Sequence, residues 1–143
     1  MSHSLAIIGL VAACGAGRQR TDAPPRQVFT VPGPAQASTA QVVAVLRDVL
    51  VPRTAPVRLR LYAVINGADS IQLGSTAIPA ISRQAQASDT LHELRVAVTD
   101  GMRSWLKTVG RSDSIRVSIR AFGDAGRELT AWRVGSLGIV ADR

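Results

Sequence analysis

The chain has 143 residues and a mass of 15.1 kDa, with 17 basic side chains against 10 acidic ones and a formal net charge of +7. Hydrophobic residues make up 46% and charged residues 19%, which is enough apolar surface for a packed core and excludes a disordered chain. One cysteine excludes an internal disulfide, and two histidines are too few for a paired-copper centre or a common zinc site. Lys107 is the single lysine, and Ala, Arg, Gly and Val are abundant, the residue usage of a GC-rich gene. Part of the pI near 11.4 therefore reflects codon usage.

Residues 1–17, MSHSLAIIGLVAACGAG, hold no Asp, Glu, Lys or Arg, and Leu5 to Ala13 is almost wholly apolar. A membrane-spanning helix needs roughly 20 apolar residues. An apolar core of about 7 to 15 followed by small residues is instead the pattern of a secretory signal. Val11-Ala12-Ala13-Cys14 resembles the lipobox of bacterial lipoproteins, in which the cysteine is lipidated and becomes the mature N-terminus. The resemblance implies a lipid on Cys14. An uncleaved membrane-touching segment and an ordinary soluble N-terminus are the alternatives.

Residues 18–40 are rich in Pro, Gly, Ala, Ser and Thr and read as a basic tether carrying Arg18, Arg20 and Arg26. Pro24-Pro25 and Pro32-Gly33-Pro34 favour extended or turn backbone, and Val28 to Val31 is suited to an edge strand. Anionic headgroups would attract such a cluster by about 1 kcal/mol per Arg. A solvated linker is the plainer reading.

From residue 41 to 143 the segments are short, apolar and punctuated by turn residues, the signature of a mainly β antiparallel sandwich of about 6–8 strands. Val42 to Val51 is an apolar run broken by Arg47 and Asp48. Val57 to Ile65 alternates and ends at Asn66-Gly67, a half-buried strand followed by a tight turn. Ile71 to Ile78 is a further strand closed by Pro79. Leu91, Leu94, Val98, Met102, Trp105 and Val109 recur at helical steps, and Thr90 with Glu93 forms a capping-box pattern. These predict one helix near residues 91–109 stopped by Gly110, although Leu94, Val96 and Val98 also alternate as a strand would. Ser114 to Phe122 alternates again, Gly123-Asp124-Ala125-Gly126 turns the chain, and strands follow over 127–134 and 137–141.

The order of these elements resembles the C-terminal domain of plant-type polyphenol oxidases and tyrosinases, named for a Lys-Phe-Asp-Val motif. The stretch from Leu94 to Thr99, Trp105-Leu106 and Asp113 to Ile119 carries the likeness, with weaker echoes at Asn66, Gly74-Ser75 and Pro79. Arg60-Leu61-Tyr62-Ala63 stands at the naming motif and keeps only its basic and apolar character. The resemblance covers about residues 40 to 141. It implies a β-sandwich that packs on another protein and does no chemistry itself, and the copper-binding domain of that family has no counterpart here.

No nucleotide-binding glycine motif and no nucleophile elbow is present, so no cofactor and no catalytic residue is assigned. His92, beside Glu93, reads as a solvated histidine, and a small hydrolase using it is the remote alternative. Arg58, Arg60, Arg116 and Arg120 alternate outward on their strands, and with Arg127 and Arg133 they predict a basic surface suited to carboxylate or phosphate. The partner expected there is an acidic protein face or anionic lipid, against a merely solvated face. Five aromatic residues, two Trp, one Tyr and two Phe, leave little for base stacking, and an exported protein does not meet nucleic acid. Trp105 and Trp132 are expected in the core.

The function expected from these features is that of a non-catalytic accessory subunit. It would be tethered at the membrane on the periplasmic side and bind a larger membrane-associated complex, for which an electron-transfer or photosynthetic assembly is a suitable host. The alternative is a chaperone or shield acting in trans on a type-3 copper oxidase.

Overall fold

The computed structural model describes residues 26–33, 41–81, 90–110 and 113–142. Cys14, Arg18 and Arg20 lie outside the described residues. Within them the chain forms β1 (Gln27–Pro32), β2 (Gln41–Leu50), β3 (Val57–Ile65), β4 (Ala68–Ile78), β5 (Thr90–Ala97), α1 (Thr99–Val109), β6 (Ser114–Phe122) and β7 (Arg133–Asp142). All pairings are antiparallel. One sheet has the order β1-β6-β3-β4 and the other β5-β2-β7. This is the mainly β two-sheet architecture expected, with β1 added as an edge strand from within residues 18–40.

The inner faces follow from strand periodicity. Leu59, Leu61 and Ala63 of β3 and Val117, Ile119 and Ala121 of β6 are fully buried, and they meet Val42, Leu46 and Val49 of β2 from the opposite sheet. The β3–β4 hairpin turns at Asn66-Gly67, with φ of 53° and 81°. Two successive left-handed residues match the twist of the flanking strands, so Asn-Gly is the favoured pair here.

The helix is present, but it begins at Thr99; residues 90–97 form β5 instead. The reason lies in β2. Asp48 has a left-handed φ of 53°, and the strand rotates there so that Arg47 and Asp48 both face solvent while Leu46 and Val49 both face the core. Its neighbour β5 follows this step: Leu94 sits opposite Leu46 and Leu91 opposite Val49, with His92 and Glu93 exposed between them. The three-residue interval that reads as a helix is thus a kinked strand. Thr90 and Glu93 make no capping box, and Val98 precedes the helix with no side-chain cap. Thr99 Oγ1 instead accepts the Val42 N–H at 3.0 Å, tying the helix start to β2. Gly110, at φ 73°, ends the helix and donates its N–H to the Leu106 carbonyl at 2.9 Å.

Met102 and Trp105 bury one face of α1. Gly101 lies so close to β4 that a Cβ would fall 2.3 Å from Leu73 Cα. The opposite side of the sandwich is closed by Gln27, whose Oε1 accepts the Val134 N–H at 2.7 Å and links the edges of the two sheets. Arg53, buried in the β2–β3 connection, donates to the Pro79 carbonyl from Nε at 3.3 Å and Nη2 at 3.2 Å, and so fixes the chain after β4.

The two final strands expected over 127–134 and 137–141 are one strand, β7. Residues 127–132 instead form a return after a 3₁₀ turn at Asp124–Gly126, held by the Leu129 N–H to the Ala121 carbonyl at 2.8 Å and a bridge between Phe122 and Glu128. Among the described residues no helix is long and apolar enough to cross a membrane.

Candidate functional site

Among the described residues, arginine and aromatic side chains gather on the outer face of the four-stranded sheet. Alternation on β3 turns Arg58, Arg60 and Tyr62 outward, and on β6 it turns Arg116, Ser118, Arg120 and Phe122 outward. Register then pairs Arg58 with Phe122, Arg60 with Arg120 and Tyr62 with Ser118. Two arginines directly opposite each other repel. The structure relieves this in two ways.

The return after β6 brings Glu128 back alongside Arg120. Arg120 grips it with two donors, Nε to Oε2 at 3.1 Å and Nη2 to Oε1. The Glu128 side chain is only 13% exposed, so this fork is a shielded ion pair rather than a surface one. The Glu128 hydrogen bond outweighs partial burial and raises the Arg120 pKa above its ordinary value. Arg60 turns the other way and stacks on Phe122, 4.6 Å from the ring centroid. Arg120 also approaches Phe122 at 5.6 Å and Tyr62 at 5.9 Å.

A second carboxylate comes from the hairpin. Asp69, at the start of β4, receives Arg26 Nη1 at 2.7 Å and the Ser118 hydroxyl at 3.3 Å, and Arg120 Nη1 stands 3.9 Å away. Arg26 also donates to the Gly67 carbonyl at 3.3 Å. Ser118 is thereby a fully buried polar side chain with its hydrogen bond made.

The structure brings five of the basic residues singled out by sequence, Arg26, Arg58, Arg60, Arg116 and Arg120, to one sheet face; Arg26, expected in a free tether, is instead paired with Asp69. Arg127 is exposed on the return, and Arg133 opens β7 in the other sheet. Among the described residues the side chains of Arg58, Arg116, Arg127 and Arg133 make no hydrogen bond or ion pair. His92 is exposed on β5, next to an ion pair of Glu93 with Arg95 at 3.1 Å. Trp105 is buried in the core, while Trp132 is half-buried against it, its indole Nε1 buried without a partner among the described residues. Asp69, Glu128, Tyr62 and Phe122 were not singled out by sequence. The two aromatics carried a signal, since both occupy outward positions of alternating strands; the carboxylates carried none, because each meets its arginine only through a turn. No group of three or more His, Cys, Asp or Glu that would hold a metal ion occurs among the described residues.

No family model matches the sequence, and no curated protein does. Solved structures match by shape, among them two polyphenol oxidases. A latent aurone synthase, a polyphenol oxidase, superposes with a TM-score of 0.57 at 13% identity over 81% of this chain and 24% of that one. A latent apple tyrosinase superposes with a TM-score of 0.54 at 16% identity over 82% of this chain and 26% of the other. The chain thus spans about a quarter of the length of each. The sandwich of this protein has the fold of the C-terminal domain of polyphenol oxidases and tyrosinases, as its sequence resemblance implied.

Proposed function

We propose that this protein is a non-catalytic accessory subunit that binds a larger membrane-associated protein complex, to which its N-terminal segment tethers it on the extracytoplasmic side. The observation that carries this reading is the outer face of the β1-β6-β3-β4 sheet. There, ordered arginine and aromatic side chains are held in place by internal carboxylates, while Arg58 and Arg116 are left exposed. Arg and Tyr fixed on a rigid sheet lose little freedom on docking, which is the composition of an interface hot spot. The net charge of +7 calls for an acidic partner surface. The fold supports the same reading, because its counterparts are one part of much longer proteins. A lipid on Cys14 together with Arg18 and Arg20 would raise the local concentration at an anionic membrane.

The likeness to two latent oxidases favours a second reading, a shield acting in trans on a copper oxidase. Extraction of the tagged chain from its own membranes in mild detergent separates the readings. An accessory subunit elutes in a stoichiometric complex with membrane proteins and carries a lipid-shifted intact mass. A shield elutes with a histidine-rich oxidase. Elution as a free monomer would reject both.

A further inference from the structure

Among the described residues the Arg60 guanidinium rests on an aromatic ring with its hydrogen-bonding capacity unused. Its guanidinium lies on the Phe122 ring at 4.6 Å, yet among the described residues it donates no hydrogen bond. Its direct cross-strand neighbour, Arg120, is satisfied by both oxygens of Glu128. A stacked guanidinium keeps its N–H groups at its rim, where their fork matches a planar carboxylate. Arg58, two residues earlier on the same face, is exposed and likewise unpaired among the described residues.

We propose that Arg60 is a carboxylate-binding residue that takes an Asp or Glu side chain from an extended acidic segment of the partner protein, with Arg58 taking the next acidic side chain along. This rests on the binding-subunit reading and names its contact chemistry. Side chains on one face of an extended segment repeat every second residue, about 6.8 Å apart, which is also the spacing of Arg58 and Arg60 on β3. A protein carboxylate fits better than the two other anionic partners. Nucleic acid would stack its bases on Phe122 and Tyr62, but Arg60 covers Phe122 and Arg120 approaches both rings. A lipid surface is met by mobile point charges, whereas a stacked, oriented fork gives selectivity for a planar bidentate acceptor.

The test titrates the full-length chain in mild detergent with an eight-residue peptide of alternating Glu and Thr, with its Gln counterpart, and with phosphatidylglycerol vesicles. The Glu peptide binds and the Gln peptide does not. Arg60→Ala and Arg60→Lys each weaken peptide binding about tenfold, the size of a hot-spot contact; Lys107→Ala and Arg103→Ala, on the helix, leave it unchanged. Denaturation midpoints of all variants identify any that lose binding through misfolding, and Arg60→Lys keeps the charge if Arg60→Ala does not fold. Absent binding of the Glu peptide, full binding by Arg60→Lys, or equal weakening by every variant would overturn the proposal. So would vesicle binding that depends on Arg60 while peptide binding does not. A stoichiometric complex still recovered from membranes in any of those cases would leave the accessory role standing without this contact; recovery of no complex would remove the role whatever the peptide does.

Discussion

Ser118 of β6 donates its hydroxyl to Asp69 of β4 at 3.3 Å, although β3 runs between the two strands. The contact requires the end of the β3–β4 hairpin to fold over the outer face of the sheet. Two register shifts, between Leu61 and Tyr62 and between Ala63 and Val64, supply the extra twist. Asp69 therefore joins three strands of the sheet, and through Arg26 it also fixes where the chain enters β1.

Replacing Asp69 with Ala strands a buried hydroxyl and releases Arg26. The expected loss is about 1–3 kcal/mol, seen as a lower urea midpoint with an unchanged slope. Asp69→Asn, which keeps an acceptor for Ser118, is expected to fall between Ala and wild type. Equal stability of Asp69→Ala and wild type would show that the hairpin end is not held this way.

Gly101 gives the opposite of the helix-propensity result. Alanine in a helix interior ordinarily gains about 1 kcal/mol over glycine. Here its Cβ would sit 2.3 Å from Leu73 Cα and 2.4 Å from the Leu73 carbonyl oxygen, and backbone does not yield. Gly101→Ala is therefore expected to destabilise the fold by about 1–3 kcal/mol, measured by thermal or urea unfolding. A stabilised variant would mean that α1 does not lie against β4 at this distance.

Gln27 holds the open side of the sandwich through one hydrogen bond, to the Val134 N–H at 2.7 Å. Gln27→Ala leaves that amide without its acceptor at the start of β7. Stability should fall by about 1 kcal/mol, and hydrogen exchange at Val134 should accelerate selectively relative to Ile119 in the sheet centre. Unchanged protection at Val134 would contradict the link.

The sheet faces were legible because alternation carries them: the inward Leu59, Leu61, Val117 and Ile119 and the outward Arg58, Arg60, Arg116 and Arg120 lie where a period of two places them. The β3–β4 turn was legible from Asn66-Gly67 alone. The start of α1 was not, because one left-handed residue, Asp48, resets the phase of β2 and imposes a three-residue step on Leu91 and Leu94 of β5. No pattern within residues 91–98 reveals a kink whose cause lies in another strand. Glu128 and Asp69 were equally hidden, since a turn and a twisted hairpin carry them onto the arginine face. Gly101, unfavourable in a helix by propensity alone, is a contact point against β4.

The most direct measurement compares the tagged wild-type chain with an Arg58→Glu, Arg60→Glu, Arg116→Glu variant, each extracted from native membranes in mild detergent, with the co-purifying proteins quantified by mass spectrometry. The expected result is a stoichiometric partner with the wild type and its loss with the triple variant, whose unfolding midpoint shows that it remains folded. Recovery of the wild-type chain alone, or equal recovery of the partner with both chains, would contradict an accessory subunit that binds through this face.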